Sequence, residues 1–351
     1  MAVGLSQFPG NSNTYVRDLA ASGNLVTQFS RNVEDFAIND YVQLRNVTKD
    51  RGYYLRLNAE QAGRLVGGRL DDYVWPDEAD RPRRNNGTDS FRTAEYATER
   101  YDFDFTLGYK TRDQAEWNIQ DVELDNHAQQ AMTARTRRFH QVLEDPTNYE
   151  PGHIQDVVAL AGNSGTWAQS TTGRLDVKRS INWGIELIRR KTLAKVKKKK
   201  DFKLVMNPET ARALGTSQEM VNALIQSIEG KVHWEGKVKD YTEYGLPSHL
   251  YGLEICVEDT VMVTSRRGAA TIQYEDVCET GVVYMLTRPG GLNAKAGSGG
   301  SYCSLMGFLY EDMTVEVRDD VNNRRVEGHV VDDCAEVMVA PITAVRFENV
   351  I

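Results

Sequence analysis

The sequence predicts an α+β protein, with helices and antiparallel strands segregated rather than alternating in regular βαβ units. Three observations carry this reading. Strand-like runs gather near the start (YVQLRNV, YYLRL, YDFDFTLGY) and again from residue 251 onward (LEICV, TVMVTS, ATIQY, GVVYMLTR). Helical patterning is concentrated between them. A polar excursion at 63–92 separates the early strands, and it holds six arginines among six acids.

The first forty residues mix short apolar patches with Ser, Asn and Gly and read as an extended arm. YVQLRNV (41–47) and YYLRL (53–57) have strand character, and YDFDFTLGY (101–109) alternates apolar with polar residues as a half-buried strand does. The two strand regions are expected to pair as a long hairpin with the excursion at its tip. Gly, Pro and the Asn86-Gly87 pair punctuate that excursion, so much of it reads as loop. Structureless connections beyond about 12–15 residues are uncommon in compact domains and are usually functional or disordered. This one also carries Leu65, Val66, Leu70, Tyr73, Val74, Trp75 and Phe91, apolar residues that a disordered linker tends to lack. A charged loop with aromatic anchors points to a surface arm ordered against another subunit. Arg69, Tyr73, Trp75, Arg81, Arg83, Arg84, Phe91 and Arg92 are the expected contacts between subunits, because aromatic residues and arginine dominate interface hot spots.

The strongest helix candidate spans 113–144, with a broken apolar stripe of Val122, Ala128, Met132, Phe139, Val142 and Leu143. Residues 145–173 are looser, with a turn at NSGTW. A second helix starts at Asp176 or Ser180 and runs to about Lys199, with Ile181, Ile185, Ile188 and Leu193 on one side. FKLVM (202–206) reads as a short buried strand, and Asn207-Pro208 opens a further helix, proline being favourable in a first turn. Another helix follows a break at Gly215, with Ser217 as its expected cap. The segment 290–301 is Gly-rich and is expected to be mobile, and the last third reads as two or more strands.

Composition excludes several functions. Charged residues are 26% of the chain and net charge is −8, so nothing in the whole-chain balance points to nucleic-acid or membrane binding. No apolar run approaches the roughly 20 residues that span a bilayer, and the start of the chain lacks the basic and apolar regions of a secretion signal. Folding in a cytoplasm is expected. Cys256, Cys278, Cys303 and Cys334 are widely spaced with no C-x-x-C pair, which reads as buried free thiols rather than a metal site. P-loop, G-x-G-x-x-G, H-E-x-x-H and G-x-S-x-G motifs are all absent from the sequence. His127 and His140 are thirteen apart, too far to set two ligands one turn apart, and His233, His249 and His329 are isolated. Adjacent acids such as Asp332-Asp333 point to opposite faces of a strand and form no local acid/base dyad. No catalytic residue, cofactor or metal site is expected. The basic run RRKTLAKVKKKKDFK (189–203) is the one tempting polyanion patch; Lys197, Lys198, Lys199 and Lys200 are its candidate weak DNA-facing residues, against the reading of a solvated helix C-terminus.

The order of elements, together with DFKLVMNPETARAL, LYGLEICVEDTVMV, ATIQYEDV, GVVYMLTRPGG and APITAVRFENVI, resembles the major capsid proteins of tailed bacteriophages with the Hong Kong 97 fold. The resemblance implies an N-terminal arm at 1–40 and an extended loop at 41–110 that lies over a neighbouring subunit. It implies a peripheral domain with a long spine helix at 111–173, an axial domain at 174–295 and a return to the peripheral domain at 296–351. It further implies self-assembly into pentamers and hexamers of an icosahedral shell around double-stranded DNA, without sequence-specific binding. Portal and scaffolding or decoration proteins are implied as partners, with assembly in the host cytoplasm and residence in the virion. Some family members join a loop lysine covalently to an asparagine next door; here no lysine lies between Gly52 and Asp104, so that chemistry does not carry over. An encapsulin-like nanocompartment shell is the alternative reading, disfavoured by the length of the loop.

Overall fold

The computed structural model describes residues 31–56, 77, 92–115, 118–169, 175–194, 196–226, 244–266, 268–288 and 303–351. The chain enters as a 3-10 turn, Val33–Asp35, and a one-turn helix α1, Ile38–Tyr41. Strand β1 (Gln43–Asn46) follows, then β2 (Arg51–Arg56), β3 (Arg92–Ala97) and β4 (Glu99–Gly108). Helices α2 (Tyr109–Gln114) and α3 (Ile119–Glu144) lead to a short strand β5 (Ile154–Asp156) and helix α4 (Asp176–Lys191). Next come β6 (Phe202–Met206), α5 (Pro208–Gly215), α6 (Gln218–Gln226), β7 (His249–Leu250) and β8 (Leu253–Val257). The chain closes with β9 (Val261–Val263), β10 (Tyr274–Asp276), β11 (Val283–Thr287), β12 (Leu305–Asp320), β13 (Arg325–Met338) and β14 (Val345–Glu348).

Two sheets organise these strands. A six-stranded sheet has the order β5-β14-β11-β6-β8-β7 and a four-stranded sheet the order β1-β12-β13-β4. In the six-stranded sheet the central strands β6 and β11 are buried along their whole length. Alternate side chains therefore serve two cores. Leu204, Met206, Val283 and Met285 join Val177, Ile181 and Ile188 of α4, while Val205, Tyr284 and Leu286 join Tyr41, Met132, Phe139 and Leu143. The one charge in FKLVM, Lys203, is neutralised by Glu254, its register partner on β8, at 2.8 Å. Gly184 lets α4 approach this sheet; a Cβ there would lie 2.6 Å from the Met285 methyl.

In the four-stranded sheet β12 and β13 form a long hairpin, with β-bulges between Leu309 and Thr314 where Met313 takes φ 44°. Helix α3, 26 residues or about 39 Å long, packs on this sheet and reaches the second core. Its buried stripe is Leu124, Ala131, Met132, Phe139 and Leu143, interrupted by Arg135. Val122 and Ala128, expected in that stripe, are only partly covered.

Several expectations need correction. The helix expected from 113 is two helices: α2 ends at Gln114, Ala115 is extended, and α3 begins at Ile119 after Asn118. The hairpin pairs β2 only with β3, whereas YDFDFTLGY pairs with β13. Helix α4 stops at Lys191 rather than Lys199, because Leu193 and Ala194 take left-handed conformations (φ 52° and 57°) and the Ala194 N–H closes on the Arg189 carbonyl. Leu193 is consequently exposed. Of ATIQY only Tyr274 is in a strand. Ser217 precedes α6 and its carbonyl accepts from Val221 N–H, but its buried hydroxyl has no partner among the described residues. Asn207 does cap α5, accepting from Thr210 N–H at 2.7 Å with Pro208 in the first turn. The Gly-rich 290–301 segment and residues 1–30 of the expected arm lie outside the described residues. Strands β5 and β14, from the two stretches assigned to a peripheral domain, both sit in the six-stranded sheet.

Candidate assembly surface

The β2·β3 hairpin leaves the body directly after β1. Val47 N–H is still bonded to the Leu309 carbonyl, and Thr98 N–H closes the hairpin root on the Asp50 carbonyl. From Arg51↔Ala97 the register runs outward to Arg56↔Arg92, where the described part of the hairpin ends. Its attachment to the body is aromatic. Tyr96 stacks on Phe308 of β12 with ring centroids 4.3 Å apart, and Tyr54 meets the same ring at 5.8 Å. Gly52 lies opposite Tyr96, and a Cβ there would come 2.6 Å from the Tyr96 hydroxyl, so the ring needs a glycine across from it. On the other face of the hairpin Tyr53 is 72% exposed, with the Glu95 carboxylate bonding to it and pushing its hydroxyl pKa upward.

Beside this root lies an open groove of about 410 Å³, bounded by Glu95 and Tyr96 of β3, Tyr101 of β4 and Arg138, Gln141 and Asp145 at the end of α3. A charge cluster stiffens its floor. Asp332, fully buried on β13, accepts from Arg135 at 2.5 Å and from Arg138 at 2.5 Å. Arg135 also reaches Asp312 at 2.8 Å, and Arg138 reaches Glu336 at 2.7 Å while lying 4.0 Å over the Tyr101 ring. Burial opposes the charge on both arginines, but the carboxylates outweigh it and hold them firmly protonated. Burial also pushes the Glu336 carboxyl up.

A second polar knot ties the chain entrance to the body. Tyr41 Oη donates to Glu258 at 2.8 Å and lies 2.9 Å from His140 Nε2. Glu258 also accepts from the Thr260 hydroxyl at 2.5 Å. With the Tyr41 proton given to Glu258, His140 donates from Nε2, and its Nδ1 is left without a partner among the described residues. Burial, with Arg137 second, drives the His140 pKa down to about 3, so the ring is neutral. Burial raises the Glu258 pKa.

Of the eight residues expected to make contacts between subunits, Arg69, Tyr73, Trp75, Arg81, Arg83, Arg84 and Phe91 lie outside the described residues, and Arg92 is the first residue of β3. Lys197, Lys198, Lys199 and Lys200 are exposed and sit in the turn between α4 and β6. The four cysteines are buried and free. His127 Nδ1 faces the Glu123 carbonyl, His249 contacts Ser248 and His329 pairs with Asp102, so these three belong to separate local networks; His233 lies outside the described residues. Among the described residues no group of His, Cys, Asp and Glu is placed to hold a metal ion, and no helix is long and apolar enough to cross a membrane. The Tyr54–Tyr96–Phe308 anchor and the Tyr41–His140–Glu258 knot are not evident in sequence. Their members are 42 to 254 residues apart in sequence, and only the Tyr53-Tyr54 pair hinted at an aromatic hairpin.

No protein-family model and no curated protein matches the sequence. Solved structures do match along nearly the whole chain. A phage-related protein from Bordetella bronchiseptica RB50 is 13% identical, with 94% of this chain and 95% of that one covered and a TM-score of 0.59. The capsid of cyanophage P-SCSP1u is 10% identical over 95% of this chain and 93% of that one, with a TM-score of 0.53. The mature capsid of bacteriophage PhiM1 is 12% identical over 93% and 90%, with a TM-score of 0.52. At these identities fold is what is shared, and the fold of this chain is that of phage capsid proteins.

Proposed function

We propose that this chain is the shell-forming subunit of a phage-type head, a structural protein rather than a catalyst. The observation that carries this is the end-to-end likeness to capsid chains, which covers 93–95% of this chain and 90–93% of theirs. A closed shell requires each subunit to make several separate contacts with neighbours. The β2·β3 hairpin suits one of them, because it leaves the body on an aromatic root and carries an exposed tyrosine outward. In this reading the hairpin and the 57–91 stretch beyond it lie on the next subunit, with Arg69, Tyr73, Trp75, Arg81, Arg83, Arg84, Phe91 and Arg92 as contacts. The subunits form pentamers and hexamers that enclose double-stranded DNA, in company with portal and scaffolding or decoration proteins, and the finished protein resides in the virion.

Negative-stain electron microscopy and sedimentation of the chain expressed alone test this. Closed shells or rings of five and six are expected, and nuclease-protected duplex DNA in particles from infected or induced cells distinguishes a virus head from a protein-filled compartment. A well-folded monomer at every concentration and salt, with scaffold supplied, overturns it.

A further inference from the structure

The segment 189–203 holds nine cations and one acid in a chain whose net charge is −8, so it departs from the charge of its surroundings. Since α4 ends at Lys191, the four lysines do not extend a helix surface: Lys197 and Lys198 are in irregular backbone and Lys199–Asp201 forms a 3-10 turn, all four lysines exposed. The helix dipole therefore does not account for them. Nor do neighbouring acids. Arg189 and Arg190 share Glu186, but among the described residues Lys197, Lys198 and Lys200 make no ion pair. Several unpaired cations within one Debye length, about 8 Å at physiological salt, repel one another and favour an anionic partner.

The turn is fixed in space rather than loose. Lys199 Nζ donates to the Tyr251 carbonyl at 2.9 Å, and Lys178 of α4 lies 5.8 Å from the Tyr251 ring, so the turn and α4 each bring a lysine to the same residue, with Lys197, Lys198 and Lys200 next to Lys199 in the chain. The aromatic groups nearby are already engaged. The Tyr251 hydroxyl is bonded to Glu219 at 2.5 Å, and Trp183, on the groove beside Lys178, packs edge-on against Phe347. Both rings are half-buried rather than exposed, so this surface lacks the open aromatic platform that single-strand binding uses. Lysine is a hydrated point charge on a flexible stem, suited to neutralising backbone phosphates without reading sequence.

We propose that Lys178, Lys197, Lys198, Lys199 and Lys200 form a phosphate-binding surface for duplex nucleic acid, and that this face of the subunit looks into the lumen of the shell. The orientation rests on the shell reading given above; the phosphate site does not.

The test has two arms. Binding of the unassembled chain to a labelled duplex of about 30 base pairs, followed by fluorescence anisotropy against salt, reports the phosphates engaged, each adding about 0.9 to the log–log slope. The Lys197→Gln/Lys198→Gln/Lys200→Gln variant keeps the Lys199 bond to Tyr251. It is expected to stay folded by circular dichroism and to flatten the slope by about 2–3. An unchanged slope overturns the phosphate site; if that variant also ceases to assemble, the lysines face an acidic surface of a second copy instead. In the second arm, intact particles are treated with an amine-reactive polymer too large to enter. Peptides holding 197–200 are expected to stay unlabelled until the shell is opened, and labelling of intact particles overturns the orientation. If no shells form, the shell reading fails while the salt slope still decides the phosphate site.

Discussion

Asp332 is the residue on which the long helix and the long hairpin meet. Arg135 and Arg138 are three apart on α3 and so share a face, and both guanidiniums converge on one fully buried carboxylate. Its neighbour Asp333 turns to the opposite face of β13 and meets Arg100 at 3.4 Å. Adjacent acids thus serve separate partners, as strand alternation requires. Removing one member of a buried ionic cluster leaves the others desolvated and unpaired, a loss of about 3–5 kcal/mol. Asp332→Ala is accordingly expected to lower the urea unfolding free energy by that amount. Glu316→Ala, which breaks only the exposed pair with Arg318, is expected to change it by less than about 1 kcal/mol. Similar costs for the two variants would mean that the buried cluster contributes nothing special to stability.

At the scale of elements, the hairpin illustrates how a projecting ribbon is kept in place. Two strands alone are marginally stable in water. Here β2 and β3 gain support from one side chain of another sheet, Phe308, which receives Tyr54 and Tyr96. Phe308 is 3% exposed, and a buried Phe→Ala substitution costs about 3–5 kcal/mol. For Phe308→Ala the expected signature is local as well as global: amides of 51–56 and 92–97 should lose at least about tenfold in hydrogen-exchange protection relative to those of β6 and β11. Hairpin protection that follows the rest of the molecule unchanged would show that the aromatic root does not hold it. The end of α4 makes the complementary point. Periodicity and helix propensity carried the expected helix to Lys199, yet two residues in left-handed backbone ended it a full two turns earlier and turned the lysines into a separate surface.

For the whole molecule, buried titrating groups set how stability follows pH. His140, with its folded pKa at about 3 against 6.5 unfolded, is neutral in the native state. The unfolded chain binds the extra proton, so the neutral ring's contribution is complete above pH 6.5 and is lost as pH falls toward 3. His153, also depressed by burial, acts in the same direction. Glu258 and Glu336 have raised folded pKa values, so protonation in the native state works the other way, adding stability as pH falls through those values. A variant isolates the histidine. Between pH 7 and pH 5 the wild type is expected to lose about 2 kcal/mol more than His140→Gln, measured by denaturant unfolding of the unassembled chain. Parallel pH profiles for the two proteins would show that His140 is protonated without cost.

The class of fold and much of the element order were legible in local residue patterns. FKLVM, LEICV and GVVYMLTR are apolar runs that bury on both faces, Asn207-Pro208 is a helix start with a physical cap, and the last third is strand. These signals are local, since burial of one segment imposes its period on that segment's own residues. Strand pairing came only from the packing of distant segments: YDFDFTLGY lies against β13 rather than across from YYLRL, and β5 and β14 meet in one sheet although 188 residues lie between Asp156 and Val345. The same packing gathered Tyr54, Tyr96 and Phe308 into an anchor, and Tyr41, His140 and Glu258 into a buried knot. Contacts of that kind depend on the packing of distant elements, and no periodicity within either partner encodes them.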